Sequence, residues 1–212
     1  MATFYINVGA HKTGTTSSVV AMTTLGFIPS PPEKYYLDFE WRRRVALQGD
    51  REITIEKIST LIKDYNFFED SPYNFLDFYK DIAEKFPQAK FILTTREVES
   101  WYDSFWRWSR TSIYMGFKNT FPHDVPFAYG HEIVEDEEEN KEIAAGIKMR
   151  YEKRNQEIID FFAGTNRLCV IEMEWDSRKK WETLCAFVGS SKIPDVPWPH
   201  ANFNNQIPAG KI

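Results

Sequence analysis

The sequence predicts a three-layer α/β domain with a mostly parallel central sheet of about four to five strands flanked by helices. Short apolar β-runs alternate with segments of helical period, the order that builds strand–helix–strand units. Several runs are apolar at successive positions, as strands covered on both faces are. A glycine-framed loop separates the first run from the first helical segment. The 212 residues suit one domain over 1–212, large enough to bury roughly 70% of the unfolded chain's surface without disulfides.

The first run is Phe4 to Gly9, and a Thr/Ser-opened helix follows from Gly14 to Leu25. Pro29, Pro31 and Pro32 then enforce an irregular connection. Ile53, Lys57, Ile58, Leu61 and Ile62 fit one helical face, and Tyr65 to Phe68 reads as a strand closed by Glu69-Asp70-Ser71-Pro72. Phe75, Phe78, Tyr79, Ile82 and Phe86 recur at helical spacing and stop at Pro87. Lys90 to Thr95 is the clearest β-run. An aromatic-rich helix is expected from Val98 to about Ser112, and a loop from Phe117 to Tyr129. Ile147 to Phe162 reads as helix, Arg167 to Glu172 as strand, Arg178 to Phe187 as helix ending near Gly189, and Ile193 to Pro199 as an extended tail. The crossovers of such a sheet are right-handed.

Composition narrows the function. Acidic residues number 31 against 26 basic ones, for a net charge of −5, where a nucleic-acid or membrane-surface protein is more often basic. Cys169 and Cys185 lack metal or redox spacing and read as buried thiols. The first residues carry no basic stretch ahead of an apolar run, and no segment approaches the roughly 18 apolar residues of a membrane span. The expectation is a soluble, cytoplasmic protein with no membrane or nucleic-acid partner. Glu135 to Glu139 reads as a solvated helix start or loop, His123 and His131 as solvated loop residues, and Arg42-Arg43-Arg44 as a solvated face or a site for an anion.

Ligands of open α/β sheets bind beyond the carboxyl ends of the strands, so the residues after each run hold the chemistry. After the first comes Gly9-Ala10-His11-Lys12-Thr13-Gly14-Thr15-Thr16. It has the G-x-x-x-x-G frame of a phosphate loop, giving the domain a P-loop character, but Thr15 occupies the position of the Walker A lysine. Backbone N–H groups and the following helix N-terminus make an anion site there. An ATP-consuming enzyme needs a cation on its terminal phosphates; Lys12, inside the loop, suits a donor with a single bridging oxygen to neutralise. After the third run come Arg96 and, eight residues later on the next helix, Ser104. The arginine's planar fork and the serine hydroxyl suit one phosphate.

Together these motifs resemble PAPS-dependent sulfotransferases. His11-Lys12-Thr13-Gly14-Thr15-Thr16 is similar to their 5′-phosphosulfate loop, and Thr94-Thr95-Arg96 through Ser104 to their 3′-phosphate motif. Asp70-x-Pro72, Phe78-Tyr79, Phe86-Pro87-x-Ala89-Lys90, Trp101-Tyr102-x-Ser104 and Pro197-x-Pro199-His200-x-Asn202 continue the resemblance to a branch of small, soluble P-loop members across most of the chain.

The resemblance implies transfer of a sulfuryl group from PAPS to a hydroxyl or amine, leaving PAP, with no metal required. Lys12 would hold the bridging oxygen, Thr13, Gly14, Thr15, Thr16 and Ser17 the 5′ phosphate, and Arg96 with Ser104 the 3′ phosphate. Family members place a His or acidic base near the end of the second strand, where this chain has Glu69 and Asp70; Asp70 is preferred, with His11 and His200 as alternatives. The dense aromatics Trp101, Tyr102, Phe105, Trp106, Trp108, Tyr114 and Phe117 pack the core or line an acceptor pocket, and suit an aromatic or lipophilic small molecule. Two other readings remain: an ATP-dependent P-loop small-molecule kinase using Glu69-Asp70 as its acid, and a non-catalytic PAP- or PAPS-binding module.

Overall fold

The computed structural model describes residues 2–30, 51–70, 72–74, 77–109 and 137–201. Its centre is a four-stranded parallel sheet of β1 (Phe4–Asn7), β2 (Phe67–Phe68), β3 (Ala89–Thr95) and β4 (Leu168–Glu172), in the order β2-β1-β3-β4. Six helices accompany it among the described residues: α1 (Thr15–Thr24), α2 (Arg51–Leu61), α3 (Phe78–Lys85), α4 (Val98–Ser109), α5 (Glu137–Phe161) and α6 (Ser177–Val188).

Alternation along each strand sends side chains to two separate cores. Phe4, Ile6, Phe91 and Leu93 pack on one face against Ile58 of α2, Ile82 of α3 and Ile158 of α5. Tyr5, Ile92, Cys169 and Ile171 pack on the other against Ala21 and Met22 of α1 and Trp181 and Leu184 of α6. Burial on both faces is why the runs read as continuously apolar. Both cysteines are free and buried, and burial pushes the Cys169 thiol up to about 12, which leaves it inert.

Two boundaries differ from the sequence reading for visible reasons. The second strand begins at Phe67, since the Tyr65 N–H still bonds the Leu61 carbonyl as the chain leaves α2. Helix α5 begins at Glu137, well ahead of the Ile147 start read from the apolar repeat and inside the acidic stretch that the sequence offers as a helix start or loop; such a stretch has no apolar periodicity to read. Arg42-Arg43-Arg44, Phe75, Tyr114, Phe117, His123, His131, Glu135 and Asp136 lie outside the described residues. No described helix is long and apolar enough to cross a membrane.

The strand order positions the site. From β1 the chain leaves toward β2, and from β3 it leaves in the opposite direction, toward β4. A crevice therefore opens at the carboxyl ends of the adjacent strands β1 and β3. The turns that flank it are Val8–Gly14 and Arg96–Glu97.

Candidate active site

The turn after β1 is wired into the sheet by buried polar groups. Asn7 accepts the Gly9 N–H at 2.8 Å and donates to the Ser18 hydroxyl at 2.7 Å, and Ser18 in turn donates to the Thr15 carbonyl. Thr13 donates to the Ala10 carbonyl at 2.6 Å and meets the Thr94 hydroxyl of β3 at 2.9 Å. The Thr13 hydroxyl thus braces the loop from inside. Leaving one such buried group unsatisfied costs about 1–3 kcal/mol, so the loop is held to one shape. Gly9 has no alternative: a Cβ there would lie 2.1 Å from the Thr94 hydroxyl oxygen and 2.7 Å from its carbonyl oxygen. Gly14 caps α1 in the left-handed region at φ 85°, with the Met173 sulfur 2.5 Å from where a Cβ would be. The N–H groups of Thr15, Thr16 and Ser17 then open α1 without intrahelical acceptors, as a helix start requires. Ser17 is buried, and its hydroxyl oxygen accepts the Ala201 N–H at 3.2 Å, bringing the tail and the exposed His200 to the first turn of α1.

Among the described residues, the non-glycine positions with positive φ are Lys12 at 69° and Asp70 at 65°. Such conformations cost on the order of 1–3 kcal/mol and persist where surrounding structure imposes them, commonly at functional sites. Burial, and then the neighbouring Arg96 and Arg107 charges, push the Lys12 ammonium below its ordinary pKa. Its nitrogen lies 6.0 Å from the centre of the Trp108 ring. Arg96 and Arg107 thus lie near enough to act on the Lys12 charge, and a grouping of cations favours an anion.

Beside Lys12, the His11 Nε2 lies 2.6 Å from Asp70 Oδ1 and 3.2 Å from the Asn74 amide nitrogen. The imidazole stacks on Trp108 at 5.5 Å between centroids. At that distance the carboxylate accepts a hydrogen bond from a proton carried on Nε2. Two residues that the sequence offers as alternatives stand here as one hydrogen-bonded pair.

Across the crevice, Arg96 Nε donates to the Ser100 hydroxyl at 2.9 Å, one turn before the half-buried Ser104 on the same stripe of α4. Glu97 caps α4 by accepting the N–H groups of Glu99 and Ser100. Glu174 approaches Arg96 Nε at 4.0 Å. A cavity of about 350 Å³ on the α5 side of Arg96 is lined by Glu97, Glu152 and Asn155 among others; its carboxylates disfavour an anion, whereas Lys12 and Arg107 favour one toward the loop.

Of the aromatic cluster, Trp101 and Phe105 are buried with Ile147 and Tyr151 of α5, while Trp108 faces His11 and Lys12. Sequence reasoning overlooks Ser100, Arg107 and Tyr151. Ser100 and Arg107 share the Ser104 stripe at helical spacing, a signal present in the sequence; Tyr151 has no local signal. No described group of three or more His, Cys, Asp or Glu side chains is arranged to hold a metal ion.

A family model described as a sulfotransferase domain matches residues 5–207. The chain belongs to the sulfotransferase-domain family. It is also similar to "Ava biosynthesis cluster protein M" of Aspergillus versicolor, at 23% identity over 209 residues covering 91% of this chain and 78% of that protein. The crevice between β1 and β3 is accordingly the candidate active site of a sulfotransferase-family protein.

Proposed function

We propose that this protein transfers a sulfuryl group from PAPS to a hydroxyl or amine of a small-molecule acceptor. The observation that carries the reading is the His11–Asp70 pair beside Lys12 in the loop before α1, with Arg96 and Arg107 near enough to act on the Lys12 charge. In the step envisaged, the acceptor oxygen or nitrogen bonds to sulfur as the bond from sulfur to the bridging oxygen breaks, and PAP leaves with that oxygen. The Lys12 ammonium stabilises the charge collecting there, a contribution of about 2.7–4 kcal/mol for a well-placed donor of this type. The first-turn N–H groups of α1, from Thr15 to Ser17, hold the 5′ phosphate, and Arg96 with Ser104 takes the 3′ phosphate.

The acceptor's proton passes to the His11–Asp70 pair. Asp70 orients the imidazole, and His11 receives the proton; a positioned base contributes roughly 10²- to 10⁴-fold. Trp108 offers an aromatic wall beside the pair, which supports an aromatic or lipophilic acceptor. The relative's name places it in a biosynthesis cluster, and that agrees with a small-molecule acceptor.

Calorimetry with PAP, 5′-AMP and ATP, each with and without magnesium, tests the donor: PAP binds best and without metal, and ATP binding that depends on magnesium would favour the kinase reading instead. For the base, Asp70→Asn is expected to leave PAP affinity within about twofold while slowing transfer of labelled sulfate about 10²-fold or more. Turnover equal to the parent's would remove the pair from the reaction, whereas a parent that binds PAP and transfers no labelled sulfate would be a PAP- or PAPS-binding module without catalysis.

A further inference from the structure

Two separate turns must grip two ends of one donor if the reading above holds, and beyond the Thr13–Thr94 contact they are linked by side chains that neither turn contains. Tyr151, near the middle of α5, is buried, and its hydroxyl accepts the Arg96 N–H at 2.8 Å while donating to the Arg96 carbonyl at 2.9 Å. The Arg96 backbone is thereby held at both polar groups by a single atom. The Tyr151 ring lies flat on Trp101, with centroids 3.9 Å apart and an interplanar angle of 8°. Trp101 in turn donates its indole N–H to the His11 carbonyl at 2.9 Å. His11 precedes Lys12 in the loop after β1. A continuous chain of contacts therefore runs from the Arg96 backbone through two stacked rings to the backbone beside Lys12.

Each link has a physical reason to be stiff. The rings are large, buried and limited to two side-chain torsions, so they resist compression in a close-packed interior. The hydrogen bonds at both ends involve backbone groups, which makes them report backbone position rather than side-chain rotamer. Arg154 of α5 adds a parallel tie by donating to the Val8 carbonyl at 3.0 Å. Backbone pairing of β1 with β3 runs only to Asn7 opposite Ile92, with one more bond from the Val8 N–H to the Ile92 carbonyl, and both turns lie past that point.

We propose that Tyr151 and Trp101 are positioning residues that set the separation of the two anion-gripping turns, and so select a ligand bearing phosphates at both the 5′ and 3′ positions. This rests on the PAPS reading of the same crevice. A ligand anchored at two points gains from the second anchor only when the spacing of the sites matches its own, and a misplacement near 1 Å is enough to lose about 10²-fold in a reacting complex. A ligand anchored at one point is indifferent to that spacing.

The test compares PAP with 5′-AMP and 3′-AMP by calorimetry on the parent, Tyr151→Phe and Trp101→Phe, with unfolding followed by circular dichroism. Tyr151→Phe keeps the stacked ring and removes the hydroxyl; Trp101→Phe removes the indole donor and supplies an independent second variant should the first unfold. Expected is PAP binding weakened about tenfold in each variant, with both single-phosphate ligands within about twofold of the parent, the scale of one lost hydrogen bond. Because both residues belong to one chain of contacts, the double variant loses less than the product of the two single losses. A parent that prefers PAP no more than 5′-AMP would sink the donor reading itself. A parent that prefers PAP, with variants that keep the same PAP to 5′-AMP ratio, would overturn the positioning role alone. Loss of 3′-AMP affinity equal to the loss of PAP affinity would also overturn it, assigning Tyr151 to the local shape of Arg96 rather than to the spacing.

Discussion

The turn after β1 and the turn after β3 both present cations at the carboxyl edge of the sheet, yet they are held in different ways. The first is built around an internal network: Asn7, Thr13 and Ser18 form a buried set that reaches Thr94 of β3, and the Trp101 indole and Arg154 add bonds to its His11 and Val8 carbonyls. The second is short, and beyond its own helix cap from Glu97 it depends on Tyr151, a residue 55 positions away in sequence. A loop that folds back on itself needs its buried polar groups satisfied, most of them from within. A turn that offers one long side chain needs only its backbone anchored, and a remote helix can do that.

Variants test this contrast most strongly where the two turns meet. Trp101→Ala removes the ring between them and is expected to cost about 3–5 kcal/mol of stability, as large buried aromatics do. Chemical denaturation measures it; a loss below about 1 kcal/mol would mean that the two turns are held independently. A smaller effect, confined to the first turn, is expected from Gly9→Ala. Its Cβ meets the Thr94 carbonyl oxygen, which is backbone, as well as the hydroxyl, so overpacking should cost about 1–3 kcal/mol. Anion binding should fall with it, and unchanged PAP affinity and unfolding midpoint would show that the loop is softer than its hydrogen bonds imply.

The least change is expected in pH dependence. Burial and two nearby arginines lower the Lys12 pKa, so the free protein loses that charge at a lower pH than an ordinary lysine would. PAP affinity is then full below the lowered pKa and declines as pH rises through it. Lys12→Arg, which keeps its charge, should move this alkaline limb to higher pH. A limb at the same pH in both proteins would assign the loss to another group.

Much of this molecule is legible in its residues. The apolar runs and their alternation with helices foretell a parallel sheet covered on both faces, because strands buried twice must be apolar at every position. The glycine frame around Lys12 and the spacing from Arg96 to Ser104 are local signals, since a loop and a helical turn each lie within a few residues. The start of α5 is half legible: the acidic run Glu135 to Glu139 offers a helix start or a loop, and without an apolar period nothing joins it to the helix read from Ile147. The partner of Asp70 is not: His11 lies 59 positions earlier, and only the parallel pairing of β1 with β2 brings the ends of those strands side by side.

Short-range patterns of polarity and turn residues, then, were enough to define the sheet, its covering helices and the two turns at the crevice, since those depend on backbone geometry within a handful of positions. The His11–Asp70 pairing, the third cation at Arg107 and the Trp101–Tyr151 link between the turns required the folded chain. They join residues distant in sequence, and no period along one segment encodes which remote side chains a crevice will bring together.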